Sequence, residues 1–318
     1  MLKEEIFQAA NLCVVGNINR DVRLAPLEAG DYLFEDGETT VEWTSESVGG
    51  GGANSACAAA ALGARVGLLA KMGADSLGRR LEETLVRHGV HAHLTKSTAC
   101  ATGTSVAVSF TSGHRHFISS LPNNESLAFD DLPLAALEGY THLFRADVWF
   151  SAPMLAGGNE RLFQHARARG MRVSLDLNWD PHWGVSSPAE VHERKLAVRR
   201  LLPCVNLAHG NARELKEFAE ADDLATSLGR LEEWGVEGVV VHLGSEGAGF
   251  YQNGKLVTVK PVPASRQVNT TGTGDVLSVC MMLLDHRPDI SAPDKLLLAN
   301  RIVSKFIEGR RKLIPMLY

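Results

Sequence analysis

Cysteine is scarce in this sequence: 318 residues hold five, Cys13, Cys57, Cys100, Cys204 and Cys280, widely spaced and without a CxxC pair. An odd, scattered set of this kind argues against a disulfide framework and leaves buried free thiols as the expectation. Long apolar runs are also missing, and none approaches the roughly 20 residues that a membrane span requires. The opening MLKEEIFQAA carries acids where a secretion signal has a basic end followed by apolar residues, so a cytoplasmic protein with no membrane contact is expected. Positive charge is not in excess either. Lys and Arg number 32 against 37 Asp and Glu, a formal charge of −5, and no basic block forms a stripe for a phosphate backbone. Nucleic acid is therefore not an expected partner. Internal repeats and low-complexity linkers are absent from the sequence as well.

What the chain does have is glycine, 30 residues, clustered rather than scattered. With 45% hydrophobic and 22% charged residues, the profile is that of a compact enzyme-sized protein. The length allows one large α/β domain, alone or with a small appendage.

Residues 11–16, NLCVVG, form a short apolar run ending in glycine, read as a buried parallel strand feeding a ligand-binding loop. Between 22 and 48 the pattern breaks into short, alternating, acid-rich pieces that suit strands exposed on one face. Residues 53–62 predict a tightly packed small-residue helix closed by Gly63, 66–70 a strand, and 76–88 an amphipathic helix closed by Gly89. A second alternating patch, 104–110 and 114–119, turns at Ser112-Gly113 as a hairpin; paired with the first, it predicts a small β lid formed by 22–48 and 100–120. Beyond 141, strands at 141–146, 172–177, 205–208 and 238–243 alternate with helices at 160–169, 212–219 and 225–234. A hairpin at Asn253-Gly254 and helices near 275–285 and 294–308 follow. Such alternation predicts a doubly wound, mostly parallel α/β sheet flanked by helices, a single domain over 1–318 with the lid attached.

The most informative segment is 268–284, VNTTGTGDVLSVCMMLL. Polar, glycine-rich residues stop abruptly where an apolar helical run begins. This puts Gly272, Thr273 and Gly274 in a turn whose amides and positive helix end can hold an anion, with Asp275 in the first helical turn. A carboxylate beside such a turn can take the proton of an attacking hydroxyl, so the pair suggests phosphoryl transfer to an alcohol. An ordinary capped helix start is the competing reading of this segment alone. The run Gly49-Gly50-Gly51-Gly52 before Ala53-Asn54 is hard to explain by packing, because each glycine raises the entropic cost of ordering. Something is expected to come very near that backbone. A dinucleotide turn fits poorly, since Ser55 takes the third glycine position. Residues 249–255 open like a P-loop, but Leu256 replaces the magnesium-binding Ser or Thr and Asn253-Gly254 reads as a hairpin turn.

With both glycine clusters in place, the chain resembles the ribokinase-like (PfkB) family of carbohydrate and nucleoside kinases. The resemblance runs in order over nearly the whole length: VVGNINRD (14–21), VGGGGANSACAAAALGARVGLLAKMGADSLGRRL (48–81), DLNWDP (176–181), NARE (211–214), HLGSEG (242–247) and NTTGTGD (269–275). It implies Asp275 as catalytic base, Gly272, Thr273 and Gly274 as the anion hole, and ATP with Mg2+ as phosphoryl donor. On the sugar side it implies Asn19 and Asp21, at the carboxyl end of the first strand, together with Gly50, Gly51 and Asn54. For the nucleotide it implies Asn211 and Glu214, the latter reaching magnesium through water, with Gly244 and Gly247 in the loop under ATP and Asn300 beside the adenine. Spacing alone reads Asn211 and Glu214 as a plain helix start. Dimers formed through the lid are common in the family.

The chain also departs from the pattern. Asn269 stands where the family usually has Asp, which puts activation by a monovalent cation in doubt. His242 replaces a common Thr and reads best as a core histidine. Asp180 replaces an Arg expected in DLNWDP, which removes a guanidinium contact to an acidic substrate, and a Glu of ribose-specific members has roughly Ser151 in its place. The pairs His91/His93 and His114/His116 lack acidic or cysteine partners and read as solvated strand positions. The expected activity is phosphorylation of a small ribose- or fructose-like sugar; an adenosine-type nucleoside kinase and a catalytically silent sensor are the alternatives.

Overall fold

The structure, a computed structural model, describes residues 4–8, 10–267 and 272–309. The first half of the chain runs Leu12–Val15 (β1), Asn19–Leu24 (β2), Thr44–Gly49 (β3), Gly51–Ala61 (α1), Val66–Gly73 (β4), Ser76–Arg87 (α2), His91–Ser97 (β5), Thr104–Ser109 (β6), Arg115–Ser120 (β7), Pro122–Glu125 (α3) and His142–Arg145 (β8). The second half runs Asn159–Ala168 (α4), Arg172–Asp176 (β9), Pro188–Arg199 (α5), Leu207–Asn211 (β10), Ala212–Ala219 (α6), Leu224–Glu233 (α7), Gly238–His242 (β11), Ala248–Gln252 (β12), Lys255–Val259 (β13), Thr273–Asp285 (α8) and Ala292–Ile307 (α9).

Nine strands form one sheet in the order β13-β12-β11-β10-β9-β8-β1-β4-β5, and four form a smaller one, β3-β2-β6-β7. From β11 to β5 all neighbours are parallel, with β12 and β13 added antiparallel. This is the doubly wound, mostly parallel α/β sheet anticipated from the alternation, with the smaller sheet attached. The strand β1 is apolar and buried along its length because helices cover both faces of the sheet. Its neighbours β8 and β4 lead the chain away in opposite directions, so a crevice opens at the carboxyl end of β1. Small residues bring α1 hard against that end: a Cβ on Gly16 would lie 2.7 Å from Gly52 Cα. Helix α8 follows the sheet with an unbroken buried stretch, 276–284. No helix of the described residues is long and apolar enough to cross a membrane.

Several elements differ from the sequence reading. Asn19 and Asp21 lie within β2, on the smaller sheet, rather than at the end of β1, because the chain crosses over in the three residues after Val15. Within 22–48 only the two ends are strand, and the stretch between holds a short 3-10 turn at Asp31–Phe34. The smaller sheet is mixed, two antiparallel pairs joined by a parallel β2–β6 contact. Helix α5 was not anticipated, whereas His91 and His93, read as solvated strand positions, lie on β5, an edge strand of the large sheet. All five cysteines are free, with Cys13 and Cys280 fully buried.

Candidate active site

Helix α8 starts at Gly272, whose φ of +84° turns the backbone in a way that disfavours a side chain. Asp275 falls in the first turn, as the change from polar to apolar sequence predicts. Its carboxylate accepts from Ser55 Oγ at 3.4 Å and from the Asn54 side chain, so two residues of α1 orient it. Desolvation in the crevice, reinforced by the charges of Asp147 and Asp21, pushes its pKa up to about 8. Gly274 packs on the His242 ring, where a Cβ would lie 3.1 Å from Nδ1. That ring bonds Ser278 Oγ at 3.0 Å, and burial lowers its pKa to about 4, so His242 is a neutral prop beneath the turn.

Across the crevice, Asn19 Nδ2 donates to Asp21 Oδ1 at 2.7 Å, and both side chains are buried. Burial raises the Asp21 pKa, against the Asn19 hydrogen bond that lowers it. The glycine run has an explanation the sequence did not offer: it is packing. A Cβ on Gly49 would sit 2.1 Å from the Asp21 carboxylate, one on Gly51 2.6 Å from Asp147 Oδ1, and one on Gly50 2.5 Å from Asn17 O. What comes near this backbone at these points is the chain itself.

Asp147 is the residue that sequence reasoning missed. It follows β8 in the left-handed region, with a φ of +55°. Its carboxylate accepts from the backbone N–H of Asn17 and of Gly52, each at 2.9 Å, and of Gly51 at 3.3 Å. It thereby fills the amide-rich start of α1 and ties it to the end of β1. Burial raises its pKa; those amides and the Arg145 guanidinium pull in the opposite direction. The available signal was an acid directly after a strand at the switch point. Ser151, where an acid was sought, is buried instead and accepts from Met154 N at 3.1 Å.

On the other flank, Asn211 and Glu214 form a reciprocal cap on α6: Asn211 Oδ1 accepts from Glu214 N at 3.0 Å, and Glu214 Oε2 accepts from Asn211 N at 2.7 Å. Glu214 nevertheless faces the crevice: burial raises the Asp176 pKa, and the nearby charges of Glu214, Asp275 and Asp147 add to the rise. Gly244 is exposed, with open space where a Cβ would point and a φ of +58°. Gly247 and Asn300 have packing duties. A Cβ at Gly247 would lie 2.1 Å from Val259 O, and Asn300 Nδ2 donates to Val259 O and Lys260 O at 3.2 and 3.0 Å. Asp180, fully buried, takes both Arg194 Nε and Nη2, at 2.7 and 2.9 Å, so it is a structural partner of α5. Asn269 lies outside the described residues.

The crevice thus gathers Asp21, Asp147, Asp176, Glu214 and Asp275 beneath the starts of α1, α6 and α8. The model for the pfkB family carbohydrate kinases matches residues 9–281, and the chain belongs to that family. It is accordingly a phosphotransferase with an alcohol acceptor, a sugar or nucleoside kinase in class. A ribokinase from Arabidopsis thaliana is 25% identical over 285 residues, 85% of this chain and 69% of that protein. Among solved structures, the Arabidopsis thaliana ribokinase complexed with ribose and ATP superposes with a TM-score of 0.75 at 21% identity, covering 96% of both chains. The adenosine kinase of Sinorhizobium meliloti superposes with a TM-score of 0.78 at 20% identity, covering 97% of both.

Proposed function

We propose that the protein is an ATP- and Mg2+-dependent kinase that phosphorylates a hydroxyl of a small neutral sugar, ribose- or fructose-like, with Asp275 as general base. The observation that carries this reading is the placement of the Asp275 carboxyl at the amide-rich start of α8, opposite the buried Asn19–Asp21 pair. Asp21 and Asn19 accept and donate to sugar hydroxyls, and Gly50, Gly51 and Asn54 close the pocket. The acceptor hydroxyl then lies beside Asp275, which takes its proton as the new O–P bond forms and the bond to the ADP oxygen breaks. Amides of the turn at Gly272, Thr273 and Gly274 stabilise charge on the moving phosphoryl oxygens. The acid at position 180, in place of a substrate-facing guanidinium, supports a neutral rather than an anionic sugar.

Among the described residues, no three His, Cys, Asp or Glu side chains converge as metal ligands. Asn211 and Glu214, paired at the start of α6, suit a hydrated magnesium carried on the phosphates and held through water. Bound there, the ion would neutralise phosphate charge. Gly244 leaves room for the nucleotide, while Gly247 and Asn300 shape its loop from behind. Asn269 offers no carboxylate to a monovalent cation, so exchange of K+ for Na+ is expected to leave turnover within about twofold. The smaller sheet serves as a lid and as the contact of a homodimer, a protein of the cytoplasm.

ADP release measured across ribose, fructose, other neutral sugars and nucleosides tests the reading. Turnover confined to nucleosides would move the assignment to a nucleoside kinase. Tight sugar or ATP binding by calorimetry with no ADP formed would make the protein a sensor.

A further inference from the structure

Four chain crossings join the two sheets: after β1, after β3, before β6 and after β7. We infer that Asn123 and Asn124, which the sequence did not single out, are positioning residues that set the smaller sheet, and with it Asn19 and Asp21, over the site. They sit in the single turn of α3 immediately after β7, 0% and 2% exposed. Asn123 Oδ1 accepts from Gly103 N, in the crossing before β6, at 2.8 Å. Asn123 Nδ2 donates to Ile18 O, in the crossing after β1, at 3.0 Å, and to Lys71 O of β4 at 2.8 Å. Asn124 Oδ1 accepts from Ile18 N at 3.2 Å and from Asn123 Nδ2 at 3.0 Å. Three of the four crossings therefore meet on one pair of side chains, with β4 of the large sheet as the anchor.

The chemistry requires amides. Each crossing presents a backbone donor or acceptor, and only a side chain carrying both can bridge Gly103 N to Ile18 O. Ile18 is held at both its N–H and its C=O, and Asn19 begins β2 at the next residue. Gly103 O in turn accepts from Arg20 N at 2.9 Å, so the junction grips β2 on either side of Asn19. The base Asp275 stands on α8, which the junction does not touch. Loosening the junction therefore displaces the sugar-facing pair relative to the base while leaving the large sheet intact.

Asn123→Asp keeps the size and removes the donors, turning an oxygen toward Ile18 O and Lys71 O. Gly103→Ala perturbs the same junction independently, because its Cβ would lie 2.9 Å from Asn123 Oδ1. Both variants are expected to raise the sugar KM about tenfold or more with the ATP KM changed less than about twofold. Hydrogen exchange read on the unliganded protein should quicken at Ile18, Gly103 and the β2 and β6 amides, with β1 and β4 unchanged. A parallel rise in both KM values, exchange quickened equally in both sheets, or no change in either variant would overturn the inference. If Asn123→Asp does not fold, Gly103→Ala decides the question by the same readouts. The kinetic arm rests on the kinase reading; the exchange arm needs no substrate, so failure of that reading and failure of this one are told apart.

Discussion

Asp275 is a carboxylic acid kept where its ionised form is costly. With a pKa of about 8 it is mostly protonated at neutral pH in the free protein, and a general base has to be ionised. On the proposed mechanism, kcat/KM for the sugar should climb about tenfold per pH unit below 8 and level off above it; a profile flat from pH 6 to 9 would assign the base elsewhere. Asp275→Asn should lower kcat by about 10²–10⁴-fold while calorimetry still detects the sugar, because the pocket remains. Stability carries the opposite sign. The folded pKa lies above the unfolded value of 3.8, so the protonated form's contribution is complete below pH 4 and is lost as pH rises through 8. Denaturant melts should show wild type losing ground to Asp275→Asn by up to about 1.4 kcal/mol per unit across that window. Parallel curves for the two proteins would refute the shift.

Elements built on local pattern were legible from sequence, and those defined by distant partners were not. The start of α8 was readable because TGTGD passes straight into an apolar run, and α6 was placed at its observed bounds, Ala212–Ala219, since Asn211 and Glu214 carry its cap. The four glycines announced a close approach, yet the intruding Asp147 carboxylate comes from 95 residues away, so nothing near the glycines names their partner. Helix α5 did have one: Ser187 caps it, Pro188 opens it and Glu190 follows, but its mixed apolar spacing hides the amphipathic face. What holds α5 is instead the buried Asp180–Arg194 pair, which also explains the acid found in DLNWDP. Arg194→Ala leaves Asp180 buried and unpaired, and should cost about 3–5 kcal/mol in denaturant melts without altering the sugar KM. A KM rise exceeding the loss of folded protein would return Asp180 to the substrate site.

At the scale of the whole molecule, the large sheet is covered and the smaller one is not. All six residues of β7 are exposed, Phe117 and Ile118 among them at 47% and 62%, and Phe34 and Trp43 stand out at 89% and 46% in the segment leading to β3. Both β3 and β7 are edges, with backbone groups open on one side. Apolar side chains beside unpaired strand edges are an invitation to association, and a protein that leaves them bare in solution would risk aggregation. A second copy brought sheet to sheet would bury them and would brace the sheet that carries Asn19 and Asp21 at the same time. Light scattering at micromolar protein should therefore give twice the mass of the chain. Ile118→Lys, which puts a charge on that exposed strand and leaves the large sheet untouched, should give the single-chain mass and raise the sugar KM more than the ATP KM. A wild-type monomer with full turnover would separate the exposed strand from any role in assembly.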